Sequence, residues 1–250
     1  MKKLIILVSA LIFSTGTVYA GPLTIVRGQD FPPYHFLDSA GKETGFIVEI
    51  INHVSRELNL EIRFAQYPWS RCLKMVETGE ADAMMNLFKT RERMTFMYFT
   101  DNELTREVNQ FFKLRTNPVT FTGNMNTLKR LRIGVIRNYS YGTKFDEFSP
   151  KLNILRLETE KALILNLVGQ RCDVILGNDI VLKSLAAKLP GGENIISSGP
   201  GISDDPLYLG FSKARGHKEL AEKFSRALQQ FKGSKIHKRI IKKYLPQGLF

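Results

Sequence analysis

The apolar positions of this chain alternate between short runs and helical stripes. Leu23-Thr24-Ile25-Val26 reads as a short strand, and "FPPY", residues 31–34, as a proline-stiffened loop behind it. After Gly45, the residues Ile47, Ile50, Ile51, Val54 and Leu58 recur at the helical period. A strand over 61–65, a helix over 69–78 and a strand over 82–87 complete a β-α-β-α-β order, the grammar of a mostly parallel sheet with helices on its faces. An extended stretch over 107–114 interrupts the pattern, which then restarts. Its second half reads as a strand at 131–136, a helix from Tyr139, a strand at 153–157, a helix at 158–168 and a strand at 173–176. Another extended stretch over 207–212 leads to an amphipathic region carrying Leu220, Phe224, Leu228, Phe231, Ile240, Ile241 and Leu245. Two α/β units joined by two extended segments predict two lobes around a cleft, with no low-complexity linker between them.

The first twenty residues stand outside this alternation. Lys2 and Lys3, an apolar run over 4–13, and Val18-Tyr19-Ala20 before Gly21 are the three parts of a cleaved secretory signal. The run falls short of the roughly 20 apolar residues that a membrane span requires. Gly21 is also not the cysteine of a lipid-anchored protein. Export to the periplasm is therefore expected, with a soluble mature chain. Such a compartment permits a bridge between Cys72 and Cys172, but the two fall in different halves of the pattern, which favours separate thiols. Removing Lys2 and Lys3 leaves 34 basic against 24 acidic side chains, a formal charge of +10. Lys and Arg are spread through the helices without a nucleic-acid-binding motif, so the charge reads as a solvated basic surface and no nucleic-acid partner is expected.

In parallel α/β sheets ligands gather at the carboxyl ends of strands. Tyr67-Pro68-Trp69 and Asn86-Leu87-Phe88 end two such strands and are expected to face the cleft. Catalytic signals are sparse. None of the four histidines has metal-ligand spacing, and no G-x-S-x-G or P-loop pattern occurs. Only His35 and Glu49 lie near the cleft in sequence as candidate acids. The expectation is a protein without enzyme activity, metal or cofactor.

The ordered fragments "FPPYHF…GKETGFIVEI", "PWSRCLKMVETGEADAMM", "KTRERMTFMYFTD", "RIGVI", "GQRCDVILGND" and "GSKIHKRIIKKYL" span essentially the whole mature chain. Together they resemble the periplasmic solute-binding proteins of the amino-acid type, which deliver polar solutes to ABC importers. The resemblance implies an α/β fold of two Rossmann-like lobes joined by two extended hinge segments, periplasmic binding protein type II-like. After the signal at 1–20, it implies a discontinuous lobe one from 21–110 and 208–250, and a lobe two from 111–207.

It also implies site residues. A large apolar or aromatic side chain stands at Trp69 in the family, and the aromatic before the prolines matches Phe31, giving two flat faces for a ligand. Thr90-Arg91-Glu92-Arg93 matches a T-x-x-R element whose arginine receives a carboxylate through its planar fork. Arg91 is then the solvent-facing one. The segment before it, with Asn86 and Phe88, is one residue shorter than the common pattern. Arg137-Asn138-Tyr139-Ser140 follows a strand and reads as opening a helix whose N–H groups can meet an anionic group. Tyr139 and Ser140 stand where the family touches the ligand carboxylate, with bulkier residues than the usual glycine and threonine. Asn178 occupies the position that receives an ammonium in amino-acid binders, normally an acid, and Asp179 follows it. Either Asp179 reaches the cleft or it serves as a helix cap.

The resemblance therefore implies a monomer that closes on a small polar, amino-acid or carboxylate-bearing solute, with the membrane permease of an ABC importer as partner. Two alternatives stay open. One is a sensor docking to a membrane receptor; the other is an enzyme of the same fold, cyclohexadienyl dehydratase-like. The appended catalytic domain of lytic cell-wall enzymes is not expected.

Overall fold

The structure is a computed structural model and describes residues 21–245. The expected signal and the last five positions of the expected lobe one lie outside the described residues. The first half runs β1 (Leu23–Arg27), the hairpin β2 (Phe36–Leu37) and β3 (Glu43–Thr44), α1 (Phe46–Glu57), β4 (Ile62–Gln66), α2 (Trp69–Thr78), β5 (Ala83–Leu87), the single turn α3 (Arg93–Phe96) and β6 (Met97–Phe99). A long strand β7 (Thr105–Leu114) leads to β8 (Arg132–Ile136), α4 (Thr143–Phe148), β9 (Asn153–Leu157), α5 (Glu160–Val168), β10 (Val174–Asn178), α6 (Asp179–Ala186) and β11 (Ile195–Ser197). A second long strand, β12 (Ser203–Ser212), returns to α7 (Lys218–Phe231) and α8 (Lys235–Tyr244).

Each half is a small parallel sheet. β1 lies between β4 and β5, parallel to both, and β8 lies between β9 and β10, again parallel to both. All five residues of β1, β5 and β10 are buried, which explains their nearly continuous apolar runs. In lobe one, α1 buries Phe46, Ile47, Ile50, Ile51 and Val54 against Phe224, Leu228 and Phe231 of α7 and Ile240 of α8. Each such side chain contributes about 1.5–3 kcal/mol on leaving water. This is why the last two helices belong with the first lobe although the chain reaches them last. Lobe two has its own apolar clusters, around Phe111, Ile133 and Phe145 on one face and Leu163, Ile164 and Leu182 on the other.

The two extended stretches are longer than the apolar pattern indicates, and they pair with each other. Thr105–Asn109 of β7 runs antiparallel to Ser203–Leu207 of β12. Beyond that overlap, β12 pairs β5 and β7 pairs β10, so one sheet continues through both lobes. Thr105, Arg106, Asp204 and Asp205 supply no apolar run, but their backbone groups satisfy one another across the ladder. Cys72 and Cys172 are buried in separate clusters and unbridged.

One local expectation is overturned. The helix expected from Tyr139 starts only at Thr143, after Gly142 at φ 94°, and lasts six residues. Residues 137–142 form a loop because Asn138 is left-handed at φ 59°, the Tyr141 hydroxyl accepts from the Ile136 N–H at 2.8 Å, and Asp146 accepts from the Tyr141 N–H at 3.0 Å. No row of helical N–H groups is presented at Tyr139 and Ser140.

Candidate functional site

Lobe one contributes an aromatic wall with one buried cation. Trp69 starts α2 directly after β4 and lies over the end of β1. A Cβ at Gly28 would stand 3.2 Å from the indole, so the glycine permits that approach. Phe31 packs against Tyr34 and stacks on His35, with ring centroids 5.2 and 5.8 Å apart. Asn86 sits at φ 63° on a bulge of β5, opposite the register shift between Tyr208 and Leu209, and its buried Oδ1 has no hydrogen-bond partner. Arg93 is buried, whereas Arg91 is exposed. The Arg93 guanidinium stands 5.4 Å over the Trp69 ring and donates to the carbonyls of Phe88 at 3.0 Å and Asn138 at 3.1 Å. Burial lowers its pKa to about 10, with Asp146 across the cleft acting in the opposite sense, so it stays cationic at neutral pH.

Lobe two meets this wall directly. The Asn138 carbonyl accepts from both Trp69 Nε1, at 2.9 Å, and Arg93, while its side chain donates to Ser70 Oγ at 3.0 Å. The Tyr139 ring lies 4.6 Å from Trp69 in an edge contact, and its hydroxyl donates to Glu160 at 3.0 Å. The Ser140 hydroxyl donates to Asp146. Asn178 caps α6 by accepting from the Val181 N–H at 3.0 Å, so the capping role weighed for Asp179 belongs to its neighbour. The Asn178 amide also donates to the Tyr34 hydroxyl at 3.0 Å, spanning the lobes. Asp179 accepts from Gln110 and pairs with Lys183 at 2.6 Å.

Between the walls is a cavity of about 30 Å³, bordered by Phe31, Trp69, Asn86, Phe88, Arg93, Tyr139 and Ser140. That is room for a water, which needs about 10–15 Å³ on this measure. Seven of the nine expected site residues thus converge, while Asn178 and Asp179 do not border this space. A groove of about 1000 Å³ shares Phe88, Arg93, Tyr139 and Ser140 with it and is also bordered by Asp146 and Asp205.

The model of the bacterial extracellular solute-binding proteins, family 3, matches residues 23–247. The chain belongs to that family. Among curated relatives, the histidine-binding periplasmic protein of Escherichia coli (strain K12) is 24% identical, with 98% of this chain and 97% of that protein covered. The L-arginine-binding protein of Pseudomonas aeruginosa is 22% identical over 98% and 96% of the two chains. Among solved structures, an ancestral arginine-binding protein bound to arginine superposes with a TM-score of 0.78 at 19% identity, covering 90% of this chain and 98% of that one. A histidine kinase sensor domain similar to periplasmic binding proteins superposes with a TM-score of 0.80 at 18% identity, covering 90% and 96%. At these identities the structural likeness carries the two-lobe fold alone.

This solute-binding protein has site residues that sequence reasoning missed. Glu107 borders the cavity and Glu160 accepts from the Tyr139 hydroxyl; both are buried, and burial raises the pKa of each carboxyl, that of Glu107 to about 8. A signal for Glu107 exists in β7. The alternation there is inverted, with Glu107 and Asn109 inward and Val108 44% exposed, as expected where a strand faces a polar cleft instead of a core. Of the two acids considered from sequence, His35 borders the cavity but burial lowers its pKa to about 3, leaving it neutral. Glu49 is turned away and binds Lys243 and Tyr244. Among the described residues no cluster of metal-binding side chains occurs, and no helix is long and apolar enough to cross a membrane.

Proposed function

We propose that the chain is exported to the periplasm, closes its two lobes on a small polar solute bearing a carboxylate, and delivers it to the permease of an ABC importer. The observation that carries this reading is Arg93. It is a buried guanidinium paired with no described carboxylate, held where the walls meet, and bonded only to two carbonyl oxygens. A ligand carboxylate offers the fork two parallel charge-assisted hydrogen bonds, stronger than those to the neutral Asn138 carbonyl that it would displace. Because the ligand would touch both walls only when the lobes are together, it stabilises the closed state by its differential affinity. The histidine- and arginine-binding relatives support an amino-acid-like solute. A thermal-shift screen against amino acids, amines and small carboxylic acids tests this, with fluorescence of Trp69, the single tryptophan, as a second readout. A carboxylate compound should raise the unfolding temperature and change the emission, since Trp69 loses its bond to Asn138. Stabilisation by amines alone would overturn the reading.

One observation favours a second reading, an enzyme of the same fold acting on a cyclohexadienyl acid. Glu107 holds a proton near neutrality inside the cleft, as a general acid must. Recovery of the bound compound unchanged after prolonged incubation separates binding from turnover.

A further inference from the structure

The buried charge of the cleft is unbalanced in two places. Arg93 is a cation without a carboxylate, as described above. Glu107, on the segment of β7 that crosses between the lobes, is its counterpart: 8% exposed, bordering the same cavity, and paired with no described cation. The charges acting on it come from Glu160 and Asp205, both carboxylates, and the side chains that hydrogen-bond it, Asn109 and Asn178, are neutral amides. The position at which the family resemblance implies an acid for a ligand's ammonium supplies none, since Asn178 is neutral and bonded to Val181 and Tyr34. Asp179 is occupied by Gln110 and Lys183. Asp146 and Asp205 border the larger groove, and the carboxyl that borders the small cavity between the walls is Glu107.

We propose that Glu107 receives the cationic group of the ligand. The ligand then binds as a zwitterion, its carboxylate on Arg93 and its ammonium on Glu107, and the proton of the Glu107 carboxyl leaves to solvent as the ammonium arrives. Before binding, the site holds one buried cation and one neutral acid; afterwards it holds two opposite-charge pairs. An ammonium buried without such a partner would be strongly disfavoured. The proposal rests on the reading of Arg93 as the carboxylate receptor.

A dependence on pH follows, because the cation must displace a proton whenever the medium is below the pKa of Glu107, about 8. The other charged or titratable groups near it are Glu160 on α5, Asp205 on β12, the phenols of Tyr34, Tyr139 and Tyr141, and, around the same cavity, His35 and Arg93. The phenols are raised and stay protonated, His35 stays neutral and Arg93 stays charged, while Glu160 and Asp205 are raised carboxyls. A Glu107→Gln variant separates Glu107 from these two. It imitates the protonated acid, so the fold should be retained.

The test is calorimetry of the purified protein with each common amino acid and with the deaminated counterpart of any that binds, between about pH 6 and about pH 8 and in two buffers of different ionisation enthalpy. At least one amino acid should bind and its deaminated counterpart should bind about tenfold or more weakly. Binding should release a proton, and affinity should fall by about tenfold for each pH unit below about 8. Glu107→Gln should abolish the proton release and weaken the amino acid by about tenfold or more, with its thermal unfolding near that of the parent at neutral pH. Equal binding of both compounds, binding without proton release, affinity that rises on acidification, or full affinity in the Gln variant would each overturn the proposal. An amino acid lost in Arg93→Ala but untouched in Glu107→Gln would end it while leaving the carboxylate-binding function standing. If no carboxylate compound binds at all, both readings fall.

Discussion

The two walls of the cleft grow from the same strand-helix-strand pattern and end chemically unlike each other. Lobe one presents Phe31, Trp69, Phe88 and the cation of Arg93. Opposite them, lobe two and the crossing strand present a backbone carbonyl, a phenol and buried carboxyls: Asn138, Tyr139, Glu160 and Glu107. The difference arises at one turn. A helix starting at Tyr139 would have turned N–H groups to the cleft and competed with Arg93 for the same anion. The left-handed Asn138 turns a carbonyl instead, which occupies Arg93 and Trp69 while the lobes are together. The walls therefore hold each other, and a ligand's measured affinity is the surplus of its contacts over those it replaces.

Removing the cation is the strongest way to break this asymmetry. Arg93→Ala should weaken a carboxylate ligand by about 2–5 kcal/mol in calorimetry, as expected when one partner of a buried charge pair is truncated. Undiminished affinity with the fold intact would mean that the walls do not differ in the way described. A smaller effect sharpens the other side of the comparison. The folded-state pKa of Glu107 lies above its ordinary value of 4.5, so the stability linked to its neutral form is fully present below about pH 4.5 and lost as pH rises through about 8. Glu160 is shifted in the same direction. The unfolding temperature of the ligand-free protein should carry this declining contribution between those values, and Glu107→Gln should flatten it. Thermal unfolding at several pH values checks this, and a slope unchanged in the variant would remove Glu107 from the account. The smallest effect is expected at Asp179. Asp179→Asn removes a charge from the first turn of α6 and its pair with Lys183, so it should cost about 0.3–1 kcal/mol of stability in denaturant titration. Ligand affinity should not change; a large loss would bring Asp179 back into the site.

Much of lobe one could be read in advance because its determinants are local. The stripe Ile47, Ile50, Ile51, Val54 marks the buried face of α1 wherever that helix packs. Trp69 and Phe88 follow strand ends, and strand ends in a parallel sheet meet at the cleft. Lobe two was less legible at its wall. The strand before Tyr139 and the serine after it look like a helix start. Gly142 and the bonds made by Tyr141 and Asp146 postpone the helix to Thr143, and those partners act through contacts that no local window contains. Asn178 and Asp179 show the same limit at adjacent positions. Both suit a helix start, and their neighbours decide that one caps α6 and reaches Tyr34 while the other turns to Gln110 and Lys183.

The alternation of apolar runs and stripes was enough to establish two α/β units, their order and the interruption between them, because each strand and helix must bury its own apolar face. Tertiary structure decided what the cleft contains. Glu107 lies in a stretch whose inverted alternation has meaning only once β12 pairs with it and the lobes close over its polar face. A carboxyl there holds its proton because water is excluded and Glu160 and Asp205 are near, and both conditions are set by residues far from it in the chain.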